Sequence, residues 1–139
     1  MADKTALAQT FIEALPHARA LDMKILTVED GYAELELPYD ERLIGDPRTG
    51  VIHGGAVSTV IDTCCGTAAM SHPKATGLTA TIDLRIDYMR AATPGQAIVA
   101  RARCYHITRT VAFVRADAVD ADTENPVATA TGAFTMGTA

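Results

Sequence analysis

Residues 54–70, GGAVSTVIDTCCGTAAM, decide the fold, because their pattern predicts one long helix. Apolar side chains recur there at helical spacing, at Val57, Val60, Ile61, Cys64, Cys65 and Ala68. Asp62 is the only charged residue between Gly54 and Ser71. A helix that is apolar on nearly every side has to be wrapped by other elements of the chain.

The segments on either side of this helix supply strands that can wrap it. Alternation of apolar and polar residues, typical of half-buried strands, predicts six of them, at 21–26, 31–37, 81–89, 97–107, 111–119 and 127–134. The polar residues 38–49, between the second strand and the helix, predict a long loop. This order predicts an α+β domain in which a six-stranded antiparallel sheet curls around the helix.

The start of the chain and one of the strands predict how the sheet is covered. Residues 1–16 predict a short N-terminal covering helix, which Pro16 stops. The length of 139 residues favours a single domain over residues 1–139. A six-stranded sheet keeps open edges, and residues 81–89 contain no proline or lysine that would discourage pairing with another strand. We therefore expect a homodimer.

Composition excludes several classes of partner. A net charge of −5 argues against nucleic acid, because nucleic-acid binding depends on clustered basic residues. No apolar run approaches the roughly 20 residues of a membrane helix, and no basic and apolar leader opens the chain, so we predict a cytoplasmic protein with no membrane contact. The cysteines and histidines lack the spacing of metal ligands, and no metal site is predicted. The charge is uneven, however: Thr81 to Arg115 holds six arginines and two aspartates, a local excess of +4 that could meet an anion.

The start of the long helix is the first feature that could carry chemistry. The sequence His53-Gly54-Gly55 places two glycines where backbone N–H groups and the positive end of the helix dipole would meet a ligand. This arrangement suits an oxyanion or an acyl carbonyl. The same glycines could instead only provide the flexibility of a turn.

Asp62 is the second such feature, because a carboxylate in an apolar helix must be hydrogen-bonded or chemically active. It either forms a structural hydrogen bond with Ser58, Thr63 or Thr67, or acts as a general base or nucleophile. Nine residues of helix, about 13 Å, separate it from His53. The two features therefore cannot act on one bond within one subunit, and a site that uses both must be built across a dimer.

Several segments in a fixed order carry a family resemblance. They are Gly50-Val51-Ile52-His53-Gly54-Gly55, then Asp62, the strand TIDLRIDYMR at 81–90 and the turn TRTVAF at 108–113. Together they resemble the PaaI-type branch of the hotdog-fold acyl-CoA thioesterases. The resemblance implies a hotdog fold that dimerises through a central strand, 81–89, and commonly a homotetramer, a dimer of dimers.

The resemblance also implies an activity, the hydrolysis of a small to medium acyl or aryl-acyl coenzyme A thioester. Asp62 would be the general base or nucleophile, and the Gly54 N–H would donate to the thioester carbonyl. His53 would order the loop before the helix and could assist the reaction. Thr81, from the partner subunit, would help to place water or substrate.

The remaining implied site residues bind substrate, and the resemblance implies no cofactor. Basic residues near the turn that holds Arg109 would meet the coenzyme A phosphates, which suits the local positive charge. Gly55, Thr110 and Arg90 complete the predicted substrate-binding set.

One position departs from the family pattern. Related enzymes carry an asparagine three residues before Gly50, where this chain has Pro47, with Asp46 beside it. This departure favours an alternative from another class, a non-catalytic acyl-CoA-binding module that acts as a sensor or carrier. A hotdog hydratase or dehydratase is a third reading, disfavoured because its Asp and His would lie closer together.

Overall fold

The computed structural model describes residues 3–137. Its helices are α1 (Lys4–Ala14), α2 (Pro16–Ala20) and α3 (Gly54–Ser71). Its strands are β1 (Lys24–Glu29), β2 (Tyr32–Leu37), β3 (Ile44–Asp46), β4 (Val51–Ile52), β5 (Thr81–Tyr88), β6 (Ile98–Ile107), β7 (Val111–Val119) and β8 (Ala128–Thr135). A 3₁₀ turn, Glu41–Leu43, precedes β3.

The long strands form one antiparallel sheet of six, in the order β1-β2-β6-β7-β8-β5. α3 contacts every one of these strands. Half of its residues are buried, namely Ala56, Val57, Val60, Ile61, Cys64, Cys65, Thr67, Ala68 and Ala69. The predicted α+β architecture, a six-stranded antiparallel sheet around one long helix, is confirmed.

The N-terminal helix covers one edge of the sheet. The Gln9 side chain accepts a hydrogen bond from the Ile25 N–H, and the Thr5 hydroxyl accepts one from the Val28 N–H. These contacts satisfy amides on the outer edge of β1, which a bare edge strand would leave open. Pro16 ends α1 as expected, but it also begins α2, because proline is well tolerated at the first position of a helix.

The opposite edge of the sheet is β5, which pairs with β8 on one side only. Its apolar side chains are unusually exposed: Ile82 by 53% and Tyr88 by 51%, with Met89 just beyond the strand at 60%. The strand that we expected to be central to a dimer is therefore an edge strand within one chain. It becomes central only if a second sheet pairs with it.

The predicted loop over residues 38–49 is more ordered than the sequence indicates. β3 and β4 pair to form a short two-stranded sheet, and β4 leads directly into the start of α3. Strands of two and three residues are too short to produce a recognisable alternation, so the pattern of the sequence could not reveal them.

Within residues 3–137, the helices are too short or too polar to cross a membrane.

Candidate active site

Asp62 and Thr81 meet within one chain. The Thr81 hydroxyl donates a 2.8 Å hydrogen bond to Oδ1 of Asp62, which is half-buried on α3. The contact depends on a break in the β5–β8 register between Thr81 and Asp83. A bulge of this kind re-aims a side chain across the sheet, here toward the helix.

This geometry corrects two expectations. Thr81 reaches the carboxylate of its own chain, whereas the resemblance implied that it comes from the partner subunit. The hydroxyls of Ser58 and Thr67 do not bond Asp62, because they donate instead to the backbone carbonyls of Gly55 and Thr63. Short side chains in a helix often bond the preceding turn in this way.

Asp62 forms no ion pair with a residue between 3 and 137. Within this range, Thr81 is its hydrogen-bond donor. The second carboxylate oxygen, Oδ2, accepts no hydrogen bond from this part of the chain. Asp62 thus has lone pairs available for chemistry.

The neighbouring cysteines are not reactive thiolates. Burial raises the pKa of the Cys65 thiol to about 12, and the negative charge of Asp62 adds to this shift. Burial also holds the pKa of Cys64 well above its ordinary value. Both side chains are thiols at neutral pH, as their predicted packing role requires.

The start of α3 leaves one of its two glycine amides free. His53 caps the helix, and its Nδ1 accepts a 2.8 Å hydrogen bond from the Gly55 N–H. The predicted substrate-binding Gly55 amide is therefore already satisfied by the protein. The Gly54 N–H, the first of the helix, has no acceptor among the described residues and lies at the positive end of the helix dipole.

The short β3–β4 sheet fixes the position of His53. The His53 N–H donates to the Leu43 carbonyl at 2.8 Å. A Cβ at Gly45 would lie only 2.8 Å from the His53 Cα, so only glycine allows this close approach. The Tyr88 hydroxyl donates a hydrogen bond to the Gly54 carbonyl at 2.8 Å. Neither Gly45 nor Tyr88 was identified as part of the site from the sequence. Tyr88 reads as an ordinary alternating strand residue, and nothing in the pattern sets it apart.

The two parts of the predicted site lie at opposite ends of β5. Asp62 contacts Thr81, the first residue of the strand, and Gly54 contacts Tyr88, the last. α3 is continuous between them, so eight residues of helix, about 12 Å, separate Gly54 from Asp62. One chain does not bring the two groups together.

A cavity of about 270 Å³ adjoins the carboxylate. Asp62 and Thr81 lie on its wall, and the rest is mostly apolar: Phe11, Leu15, Gly66, Met70, Leu78 and Phe134 are among its lining residues. Sequence reasoning did not foresee the contribution of α1 to this wall.

Arg109 lies in the turn between β6 and β7, at the same end of the sheet as Thr81. Thr81 pairs with Phe134, and Phe134 pairs with Ala112, three residues from Arg109. Arg109 is exposed and forms no ion pair with any residue from 3 to 137. Thr110 is also exposed, and its carbonyl accepts a hydrogen bond from the Met136 N–H at 2.7 Å.

Arg90 has a structural role, which corrects its prediction as a substrate-binding residue. Its guanidinium binds both carboxylate oxygens of Asp120, at 2.7 and 2.8 Å. It also donates to the carbonyls of Asn125 and Ala91. These bonds engage all three guanidinium nitrogens inside the fold.

Asp46, beside Pro47, also has an internal partner. Its carboxylate accepts hydrogen bonds from the Arg48 backbone and side chain, which lower the pKa of Asp46. Its carbonyl accepts from the amides of Thr49 and Gly50. Asp46 thus closes the β3–β4 turn.

Comparison with known proteins gives the family. The family model described as Thioesterase superfamily matches residues 49–127, more than half of the chain. A putative esterase of Halobacterium salinarum is 36% identical over 94 residues, which cover 65% of this chain and 62% of that protein. A putative esterase of Archaeoglobus fulgidus is 34% identical, over 60% of this chain and 51% of that protein. The chain thus matches between half and two thirds of the length of these two relatives.

Other comparisons cover nearly the whole chain. The medium/long-chain acyl-CoA thioesterase YigI of Escherichia coli K12 is 24% identical over 94% of this chain and 92% of that protein. A crystal structure of a Pseudomonas aeruginosa protein is 36% identical, with a TM-score of 0.85 over 95% of this chain and 98% of that one. The Escherichia coli PaaI protein shares the fold at 20% identity, with a TM-score of 0.83 over 96% of this chain and 93% of that one. The hotdog fold and the PaaI resemblance are thereby confirmed, and the chain belongs to the thioesterase superfamily.

Proposed function

We propose that the protein hydrolyses acyl-CoA thioesters of small to medium acyl or aryl-acyl groups, at sites built by two chains. The observation that carries this proposal is the carboxylate of Asp62, which has no cationic partner within the described chain and lines a cavity. The thioesterase superfamily supports thioester hydrolysis, and the name of the relative YigI supports an acyl-CoA substrate.

The open edge of β5 supports a dimer that would complete the site. Antiparallel pairing of this strand with its copy, about a two-fold axis between Leu84 and Arg85, sets Thr81 opposite Tyr88 of the partner subunit. Thr81 bonds Asp62, and Tyr88 bonds Gly54, in each chain. This register therefore brings the carboxylate of one chain to the free Gly54 amide of the other, twice per dimer. A homodimer satisfies this requirement, and so does a dimer of dimers.

The reaction has two possible forms that use the same atoms. Asp62 either takes a proton from a water molecule that attacks the thioester carbon, or attacks that carbon itself. In both cases the C–S bond breaks and coenzyme A leaves as the thiolate, which takes the proton held by Asp62 in the first case and a proton from solvent in the second. In the second case, water then hydrolyses the mixed anhydride and restores the carboxylate.

Other groups have supporting roles in this proposal. The Gly54 N–H and the positive end of α3 stabilise the oxyanion on the former carbonyl oxygen. The Thr81 hydroxyl holds Oδ1 of Asp62 and leaves Oδ2 for the reaction. His53 orders the helix start through its contact with Gly55.

Arg109 meets the phosphates of coenzyme A in this proposal, with Thr110 beside it in the same turn. Three of the other five arginines between Thr81 and Arg115 pair with aspartates, at positions 85, 90 and 101. The remaining two, 103 and 115, stack on tyrosine rings. Arg109 is thus the arginine of this stretch that lacks a charged or aromatic partner among the described residues.

A panel of acyl-CoA thioesters, followed by release of the free thiol, tests the activity. Multiple turnovers on at least one small or medium acyl group are expected. Acyl-CoA binding measured by calorimetry, with no thiol release over hours, would establish the acyl-CoA-binding module in place of the enzyme.

Mixing two inactive variants tests whether the site is shared. Gly54→Pro removes the free N–H at a helix position that tolerates proline, after a His53 backbone (φ −59°, ψ 136°) that proline also accepts. Loss of one oxyanion donor lowers kcat by about 10² to 10³. Gly54→Ala is the matched control, because it retains the N–H and its Cβ meets Tyr88 at an ordinary 3.5 Å.

Subunit exchange between Gly54→Pro and Asp62→Asn creates heterodimers with one intact site. About a quarter of wild-type activity should return, since half of the dimers are mixed and each mixed dimer has one of its two sites. No recovery after verified exchange would overturn the site shared between Gly54 of one chain and Asp62 of the other.

A further inference from the structure

We infer that the acyl chain lies in an apolar groove between α1 and α3, and that the length of this groove selects chains of up to about ten to twelve carbons. The inference rests on the proposed function and names its substrate class more closely.

The groove consists of two adjoining cavities. The first, of about 270 Å³, contains Asp62 and Thr81. The second, of about 460 Å³, extends to Lys4 and His72 at the other end of α3. Both are lined by the same four residues, Phe11, Thr67, Met70 and Leu78. The two cavities therefore adjoin at these four side chains, and together they extend from the Asp62 carboxylate toward the end of α3.

The walls of the groove are apolar and open. Leu7 is 60% exposed, Phe11 38% and Leu78 68%, and all three line it. Exposed apolar side chains that gather around a cavity favour an apolar occupant. Because the groove begins at the carboxylate, the occupant with matching geometry is the acyl tail of the substrate.

The floor of the groove is one row of α3, formed by Asp62, Gly66 and Met70. These residues are spaced four apart and so lie one above the other on the same face. Glycine destabilises a helix interior relative to alanine, yet a Cβ at Gly66 would meet only the Thr79 methyl, at an ordinary 3.7 Å. The packing of the described residues does not require glycine there, whereas an acyl chain that runs along this face of α3 does.

Lys4 closes the far end of the groove. Its ammonium group bonds Asp30 and the Ser71 carbonyl, which ties α1 to the last turn of α3. Asp62 and Ser71 are nine residues apart, about 14 Å along the helix. Carbon–carbon bonds of 1.52 Å at about 111° advance roughly 1.25 Å each, so about eleven carbons fill this length.

Two substitutions that would fill the groove at different distances from Asp62 test the inference. Gly66 lies one turn from Asp62, about 6 Å or five carbons, and Met70 lies two turns away, about 12 Å or ten carbons. Gly66→Leu should therefore exclude chains longer than about five carbons, and Met70→Trp chains longer than about ten. The wild-type kcat/KM should rise with chain length, by up to about fourfold per methylene, to about ten to twelve carbons. Leu26→Trp, at an exposed apolar position outside the groove, is the control.

The readout is the ratio of kcat/KM for decanoyl-CoA to that for butyryl-CoA. Gly66→Leu should lower this ratio at least about tenfold, and Leu26→Trp should not change it. For Met70→Trp the informative ratio is that of tetradecanoyl-CoA to decanoyl-CoA, which should fall while the decanoyl-to-butyryl ratio stays unchanged. An unchanged decanoyl-to-butyryl ratio in Gly66→Leu, with thiol release intact, would overturn the groove assignment and leave the proposed function standing.

A binding measurement separates the inference from the activity. Calorimetry in an Asp62→Asn background gives Kd for the same two thioesters without turnover. Chain-length-dependent binding that Gly66→Leu abolishes would support the groove even if the wild-type protein releases no thiol. Equal Kd values for both thioesters would overturn it.

Discussion

Two aspartates near opposite ends of β5, Asp62 and Asp120, differ in burial and in the number of hydrogen bonds that their carboxylates accept. The Asp120 side chain is 1% exposed and accepts hydrogen bonds from both terminal nitrogens of Arg90 and from the amides of Thr93 and Asp122. These contacts, above all the one with Arg90, hold the pKa of Asp120 well below its usual range. Asp62 is half-buried and accepts one hydrogen bond, from the neutral Thr81. A carboxylate whose lone pairs are all engaged stabilises the fold, whereas one with a free oxygen can react.

The largest expected effect is a loss of kcat when the Asp62 carboxylate is removed. Asp62→Asn should lower kcat on acyl-CoA by about 10³, because it removes the base or nucleophile, while the free energy of unfolding changes by less than about 1 kcal/mol. Thiol release and urea denaturation measure the two quantities. Asp83→Asn, at an exposed position of β5, is the control and should keep wild-type kcat. Wild-type turnover in Asp62→Asn would remove Asp62 from the mechanism.

The next largest effect is a loss of stability when the ion pair of Asp120 with Arg90 is removed. Arg90→Met leaves the buried Asp120 carboxylate without its partner and should cost about 3 kcal/mol of unfolding free energy. Arg48→Met, which breaks the exposed pair with Asp46, should cost less than about 0.5 kcal/mol. Urea denaturation compares both with the wild type. Equal costs for the two variants would show that burial of Asp120 does not decide the strength of its ion pair.

Acid should reduce the difference in unfolding free energy between the wild type and Arg90→Met. The pKa of Asp120 is lower in the folded state than its unfolded value of about 3.9, so the pair contributes stability above that pH and loses it as the pH falls further. The gap in unfolding free energy between wild type and Arg90→Met should therefore be constant near neutral pH and shrink below about pH 4. A gap that widens on acidification would contradict this linkage.

A smaller effect on kcat tests whether the hydrogen bond from Thr81 positions the Asp62 carboxylate. Thr81→Val removes the hydrogen bond to Oδ1 and should lower kcat about tenfold, the kinetic equivalent of one hydrogen bond to a charged group. Thr81→Ser retains the hydroxyl and should retain most of the activity. Equal kcat values for Val and Ser at this position would mean that the contact does not position the carboxylate.

The smallest effect lies at the turn between β6 and β7. Arg109→Ala should raise KM about three- to tenfold with little change in kcat, because a phosphate contact far from the thioester binds substrate and transition state alike. Added salt should reduce the difference between variant and wild type. A collapse of kcat at unchanged KM would place Arg109 near the reacting atoms instead.

The sequence predicted the fold well because the fold depends on periodic burial. The alternation in 111–119 coincides with β7, and the apolar spacing after Gly54 coincides with α3. Asp62 stood out for the same reason, as a charge that interrupts an apolar helix. Such signals are local and accumulate over many residues.

What the sequence did not predict depends on contacts between distant or irregular segments. Thr81 reaches Asp62 through a strand bulge that changes which side chain faces the helix. Arg90 binds Asp120, which lies thirty residues further along the chain. Because the partner is so distant in sequence, the pattern around Arg90 does not show whether its guanidinium is free or held in a buried ion pair. The groove exists because α1, which packs on β1, lies across a gap from α3, and no pattern within either helix records their distance.

The exposed edge of β5 affects how substitutions in this strand would be observed in a cell. A newly made chain presents the unpaired backbone groups of β5 and the exposed Ile82, which the proposed dimer would cover. Substitutions that weaken pairing would therefore reduce the amount of recoverable protein before they alter the chemistry of any surviving site. If the proposed dimer is the active form, cellular activity would rise more steeply than the rate of synthesis, because two chains must meet to form each working unit.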